Sequence, residues 1–392
     1  MTGLGTRPAA RFALVGAAMA FGYTAQQSVF PELLPLAVRL GVDKLWMGLV
    51  ITVSGCVFLL SNPLWTFAAR RWGSRRVLVA GLIGIVLSSV VFTLIVSWGP
   101  GSRWVGFAGV LLTRGVLFGL AMAAVAVSGP AFVLADSTAA GERGRAAAVI
   151  TAAQGFGVLA GPLLDGITSA HGLIVLLLAP LAPLAVATAL VARMDHGEQT
   201  NYEQRSSSSW GPFVRGVWPY LLVITSLLLF VATTQVTAGF LLTDRLGLSS
   251  DDAGRTAAWV LVAGSAPFLL AQLVTMSRPA LPAGRMLQAG LALTLAGVLP
   301  LAFARTLPWI LIGAIVAAIG IGCALPSCYE FVSRADNEPR HTRTAGAIAA
   351  AAGVAFAVGP VLAAWLYTAG TAVPFLAIAV LLLIGAAALF RS

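Results

Sequence analysis

The chain has 392 residues, of which 59% are hydrophobic and only 10% charged, and it carries a formal net charge of +10. A mean hydropathy of +0.93 excludes an ordinary soluble domain, in which about 25% of residues are charged. The arginines sit between apolar segments and gather on no soluble face, so no nucleic-acid partner is expected.

The lipid bilayer is the expected surroundings. A hydrocarbon core about 30 Å thick takes roughly 20 apolar residues per helix, so twelve spans with short loops fill a chain of this length. Arg7 and Arg11 precede a first apolar run at 12–37, which lacks a small-residue cleavage site and reads as a retained helix. Further runs lie at 46–69, 77–97, 105–134, 146–169 and 173–192. A second set lies at 218–243, 254–276, 286–304, 308–332, 345–368 and 373–390. Between the sets, MDHGEQTNYEQRSSSSWGPFVRG has a serine run and no apolar period. The expected organisation is an N-terminal six-helix bundle (1–194), a cytoplasmic linker (195–217) and a C-terminal six-helix bundle (218–392).

Placing the N-terminus inside leaves only Arg39, Lys44, Arg103, Arg245, Arg255 and Arg305 outside, and puts the other basic residues, apart from Arg114 within an apolar run, in cytoplasmic stretches. Basic loops resist translocation, so both termini are expected in the cytoplasm. Lys44 is the lone lysine, which points to a GC-rich bacterial genome and hence to a bacterial cytoplasmic (inner) membrane.

The two sets repeat. AAQGFGVLAGPLL, from Ala152 to Leu164, matches AAGVAFAVGPVL at an offset of 198, pairing Gly155 with Gly353, Gly161 with Gly359 and Pro162 with Pro360. Duplicated six-helix halves mark a two-bundle transporter, with a solute site near the membrane midplane. Cys56, Cys323 and Cys328 lie in apolar segments without ligand spacing, and His171, His196 and His341 fall in loops, so no metal site and no cofactor are expected. There is no P-loop and no Ser/His/Asp constellation, so neither ATP-driven pumping nor enzymatic hydrolysis is expected.

Three segments resemble the major facilitator superfamily, and within it the drug or metabolite:proton antiporters. In PLWTFAARRWGSRRVL, Arg71, Gly73, Arg75 and Arg76 match the loop signature after helix 2, while Thr66 stands at its Gly and Arg70 at its Asp. The resemblance implies a cytoplasmic charge cluster that latches the halves, with Asp136 or Glu142 serving the arginines in place of the missing Asp. Gly157, Gly161 and Pro162 on helix 5 are similar to the antiporter motif. Two glycines four apart share one helix face for close backbone approach, and Pro162 removes a backbone donor. The same features also suit ordinary tight packing. TRGVLFGLAMA resembles the helix 4 arginine motif, although Arg114 to Gly119 is one residue longer than the usual form.

Charge within a bilayer is costly, so each charged residue there is a functional candidate. Arg114, Glu32 and Asp165 fall in one leaflet of the N-terminal half, and the expectation is that Glu32 and Asp165 compete for Arg114 while a proton is loaded and released. Low dielectric favours a neutral carboxyl and a nearby Arg a charged one, so movement between the two couples to protons. Open alternatives are an interfacial Glu32 beside Arg39 and an Asp165 that caps a loop. Glu330 reads as the only membrane-side acid of the second half, or as a solvated charge beside Arg334.

The resemblance implies a cavity lined by helices 1, 4, 7 and 10. Substrate candidates there are Tyr23, Gln26, Gln27, Phe30, Thr234, Gln235, Phe240 and Tyr329, extended by Gln154 and Gln272. Amides and rings suit a hydrophobic or amphipathic small molecule, although the same groups also bond neighbouring helices. The expected function is proton-coupled efflux by a monomer using alternating access. Alternatives are a nutrient or metabolite importer or facilitator on the same fold, and a non-transporting receptor or scaffold. The short stretch after Leu389 disfavours the last.

Overall fold

The computed structural model describes residues 8–98, 102–135, 140–168, 173–194, 210–277, 282–335 and 342–389. Every element among them is helical. The chain divides into two compact units, Met1–Glu203 and Gln204–Ser392.

The first unit holds α1 (Pro8–Gln27), α2 (Leu33–Leu40), α3 (Lys44–Trp72), α4 (Ser74–Trp98), α5 (Arg103–Val110), a π turn (Leu111–Leu117), α6 (Phe118–Ala135), α7 (Ala140–Thr168), α8 (Leu173–Leu178) and α9 (Leu181–Ala192). The second holds α10 (Trp210–Leu246), α11 (Ser250–Ser277), α12 (Ala283–Phe303), α13 (Leu307–Arg334), α14 (Thr342–Ala369) and α15 (Val373–Leu389). Among the described residues, eight helices are individually long and apolar enough to cross a membrane. The other four apolar runs of the sequence fall on α1 with α2, α7, α8 with α9, and α15.

Packing repeats between the units. In the first, α1 lies on α7 and α9, α6 lies on α3 and α4, and α4 lies on α9. In the second, α10 lies on α14 and α15, α13 lies on α11 and α12, and α12 lies on α15. The duplication read from the sequence is thus a duplication of helix pairs. The first unit's core is built from Val15, Met19, Leu78, Leu82, Ile85, Phe118, Met122 and Leu184, all buried.

Several boundaries differ from the apolar runs. The first segment is broken between α1 and α2, and the sixth between α8 and α9 at Ala179 and Pro180. The fourth is continuous but carries a π turn in its middle. Residues 210–217, expected in the linker, are the first two turns of α10, because the Pro at 212 falls early enough in the helix to remove no needed donor. α10 also continues to Leu246, which puts Asp244 and Arg245 on a helix and not in a loop.

Candidate functional site

The site is built around the end of α1. Pro31 has no N–H to give the Gln27 carbonyl, so α geometry cannot continue. The chain tightens instead: Phe30 N–H donates to the Gln27 carbonyl at 3.3 Å and Glu32 N–H to that of Val29 at 3.2 Å. In an unbroken helix Phe30 would serve Gln26, so the Gln26 carbonyl loses its donor. Arg114 fills the vacancy, donating from Nη2 to the Gln26 carbonyl. A guanidinium at a helix C-terminus also meets the negative end of the helix dipole.

Arg114 is 5% exposed, and its Cζ lies 3.7 Å from the centroid of the Phe118 ring. It sits within the π turn, which closes where Phe118 N–H donates to the Thr113 carbonyl, five residues back. A π turn accommodates one residue more than an α-helix of equal length. The extra residue between Arg114 and Gly119 has that structural counterpart.

α7 approaches α1 from another side. A Cβ on Gly157 would stand 2.9 Å from the Tyr23 carbonyl carbon and 3.0 Å from the Thr24 nitrogen. Only glycine permits such backbone contact, and it brings the Gln154 amide to donate to the Tyr23 hydroxyl at 3.0 Å. Asp165, four residues past Gly161 on the same helix face, is fully buried, and Glu32 and Gln27 are each 9% exposed. Tyr23, Gln26, Gln27, Gln154, Gly157, Gly161 and Arg114 therefore converge on one stretch of α1, with buried Phe30 in the break beyond it.

Arg114 makes two contacts in this region, a hydrogen bond to α1 and a stacked ring. The first rests on the Pro31 break, which exposes a carbonyl within reach.

In the second unit the candidates lie on α10, α11 and α13. Thr234 donates back to the Phe230 carbonyl at 3.0 Å, Gln235 is buried beside it in sequence, and Phe240 lies fully buried 6.1 Å from the Tyr367 ring. Gln272 is half-buried on α11, where its backbone nitrogen faces Gly322 of α13. Tyr329 is half-buried, and its neighbour Glu330 forms an exposed ion pair with Arg334, one helical turn on. Gly359 of α14 faces Ala232 and Leu229 of α10, the counterpart of Gly161 against α1, with Pro360 within the helix as Pro162 is in α7.

Glu330 is not the only acid on a spanning helix of that unit. Asp244 accepts a hydrogen bond from the Tyr367 hydroxyl at 2.9 Å. Its neighbour Arg245 caps the C-terminal end of α12, donating to the carbonyls of Leu301 at 2.8 Å, Ala302 at 2.6 Å and Ala304 at 3.1 Å, and to Thr371 Oγ1 at 3.1 Å. A lone tyrosine in the apolar run AAWLYTAG was the available signal, since a buried phenol needs a partner.

Gly73 alone joins α3 to α4, at φ +88°. Arg75 donates to the carbonyls of Ala192 and Met194, at the end of α9, while Arg70, Arg71 and Arg76 are exposed. Asp136, the side chain of Glu142, and His171, His196 and His341 lie outside the described residues. Among the described residues no three of His, Cys, Asp or Glu come together as metal ligands.

A family model described as Major Facilitator Superfamily matches residues 12–284. No curated protein matches the chain in sequence. Among solved structures, a bacterial homologue of the human lysosomal transporter Spinster superposes with a TM-score of 0.73 at 14% identity, covering 98% of this chain and 96% of that one. A D-xylose–proton symporter gives 0.73 at 15% identity, covering 96% of each chain. The human organic anion transporter MFSD10 (TETRAN) gives 0.65 at 19% identity, covering 97% of this chain and 99% of that one. At such identities the likeness is one of fold.

Proposed function

The chain belongs to the major facilitator superfamily, and we propose that it works as a secondary transporter exporting a hydrophobic or amphipathic small molecule in exchange for protons. It does so as a monomer in a bacterial cytoplasmic membrane, with both termini inside.

The observation that carries this reading is the use of Arg114. Its guanidinium is spent on the Gln26 carbonyl and the Phe118 face, so the α1–α7 surface offers a ligand the Tyr23 phenol and the Gln154 amide, not a free cation. Neutral hydrogen-bonding groups beside rings suit an uncharged or weakly basic amphipathic solute better than an organic anion. Asp165 and Glu32, both buried in the first unit, are the groups assigned to carry the proton.

Proteoliposomes with an imposed pH gradient test the reading across lipophilic cations, neutral antibiotics and sugars. Gradient-driven movement of amphipathic compounds, lost in Asp165→Asn and Glu32→Gln, is expected. Uptake of sugars down the gradient would favour an importer, and transport unaffected by either substitution would remove the proton from these two acids.

A further inference from the structure

The backbone between α5 and α6 holds seven residues, Leu111–Leu117, in π geometry. Single π turns inside α-helices are rare, and they occur frequently at functional sites. Arg114 lies at its middle and is tied at two points, by its bond to the Gln26 carbonyl on α1 and by the ring of Phe118, the residue that closes the turn.

α3 sets where movement is possible. A Cβ on Gly119 would stand 2.6 Å from the Ser54 carbonyl oxygen and 3.1 Å from the Ser54 Cα, so α6 is seated backbone against backbone below the turn. Above it, α5 is a helix of only 8 residues. The surplus residue therefore has one easy exit, toward α5.

We propose that the π turn is a register switch for Arg114: when the surplus residue passes up into α5, α geometry closes and Arg114 advances one position, leaving the α1 carbonyl. One α-helical position is a rotation of about 100° and a rise of about 1.5 Å. Each residue above the closure takes the place of the one before it. Thr113, now 2% exposed, moves to the place of Leu112, which is 55% exposed. The broken end of α1 is then held by Arg114 in one register and released in the other, a two-state element of the kind that gates conformational change.

Two readouts test the switch without a transported solute, so they stand or fall apart from the exporter reading. In the first, hydrogen exchange of the amides at 113–118 is expected to run about tenfold faster than in α6, and to fall to the α6 rate when Val116 is deleted and the surplus residue is gone. In the second, Thr113→Cys in a background lacking Cys56, Cys323 and Cys328 is labelled with N-ethylmaleimide. Adding Arg114→Met, which removes the tie to Gln26, is expected to raise its labelling rate severalfold. Exchange in the native turn no faster than in α6, or labelling unchanged by Arg114→Met, overturns the switch. The labelling arm stands even where the deletion does not fold.

Discussion

Gly161 of α7 lies against Gln27 of α1 so closely that a Cβ on it would stand 2.8 Å from both the Gln27 carbonyl carbon and the Ser28 nitrogen. Those atoms are backbone and cannot turn aside. Gly161→Ala is therefore expected to cost about 1–3 kcal/mol by overpacking, read as a lower Tm in detergent. Gly359→Ala is the control, because there a Cβ meets Ala232 Cβ at 3.0 Å and Leu229 Cδ2 at 3.1 Å, longer approaches of which the leucine methyl can turn aside. A Gly359→Ala loss as large as that of Gly161→Ala would contradict the backbone argument.

Arg114→Met poses a contest between two terms. Losing the donor leaves the Gln26 carbonyl unpaired, at about 1–3 kcal/mol, while removing a charge that is 5% exposed relieves a desolvation cost of several kcal/mol. The two nearly offset, so stability is expected to stay within about 1 kcal/mol of native while transport is lost. Thermal unfolding beside a flux assay checks it. A large drop in Tm would mean that the bond outweighs desolvation.

Pro31→Ala supplies the N–H that α geometry needs at the Gln27 carbonyl. A proline inside a helix costs roughly 3 kcal/mol, so removing it is expected to let α1 run on and slow amide exchange across residues 28–33 by about tenfold or more. Phe30 would then reclaim the Gln26 carbonyl from Arg114, and transport should fall. Unchanged exchange would show that something other than Pro31 holds the break.

Gly73→Ala forces a Cβ onto a residue at φ +88°, in the only connection between α3 and α4. The expected cost is about 1–3 kcal/mol, measured as a lower Tm. Ser74→Ala, one residue later and already helical, is expected to leave stability within about 0.5 kcal/mol of native.

Much of this architecture was written in the sequence. Apolar runs of spanning length located the described helices, and the offset of 198 between Gly161 and Gly359 marked a duplication that the packing repeats as α7 on α1 and α14 on α10. The departures arise where local pattern carries no information. Pro31 was visible, but which group would take the carbonyl it frees depends on Arg114, 88 residues away from Gln26. A π turn differs from α by one residue in seven, too little for periodicity to register, and only the long spacing from Arg114 to Gly119 hinted at it. The bond from Tyr367 to Asp244 spans 123 residues, so the lone tyrosine signals that a partner is needed while no local pattern names it.

Seating Arg114 on a carbonyl has an electrical consequence. A carboxylate partner would move with the guanidinium as a neutral pair, whereas a backbone dipole leaves it a whole elementary charge. Carrying one such charge across the full membrane field is worth about 2.3 kcal/mol per 100 mV. A shift of Arg114 through part of that field draws on a proportionate share, which makes the occupancy of the α1 end a quantity that membrane voltage biases directly.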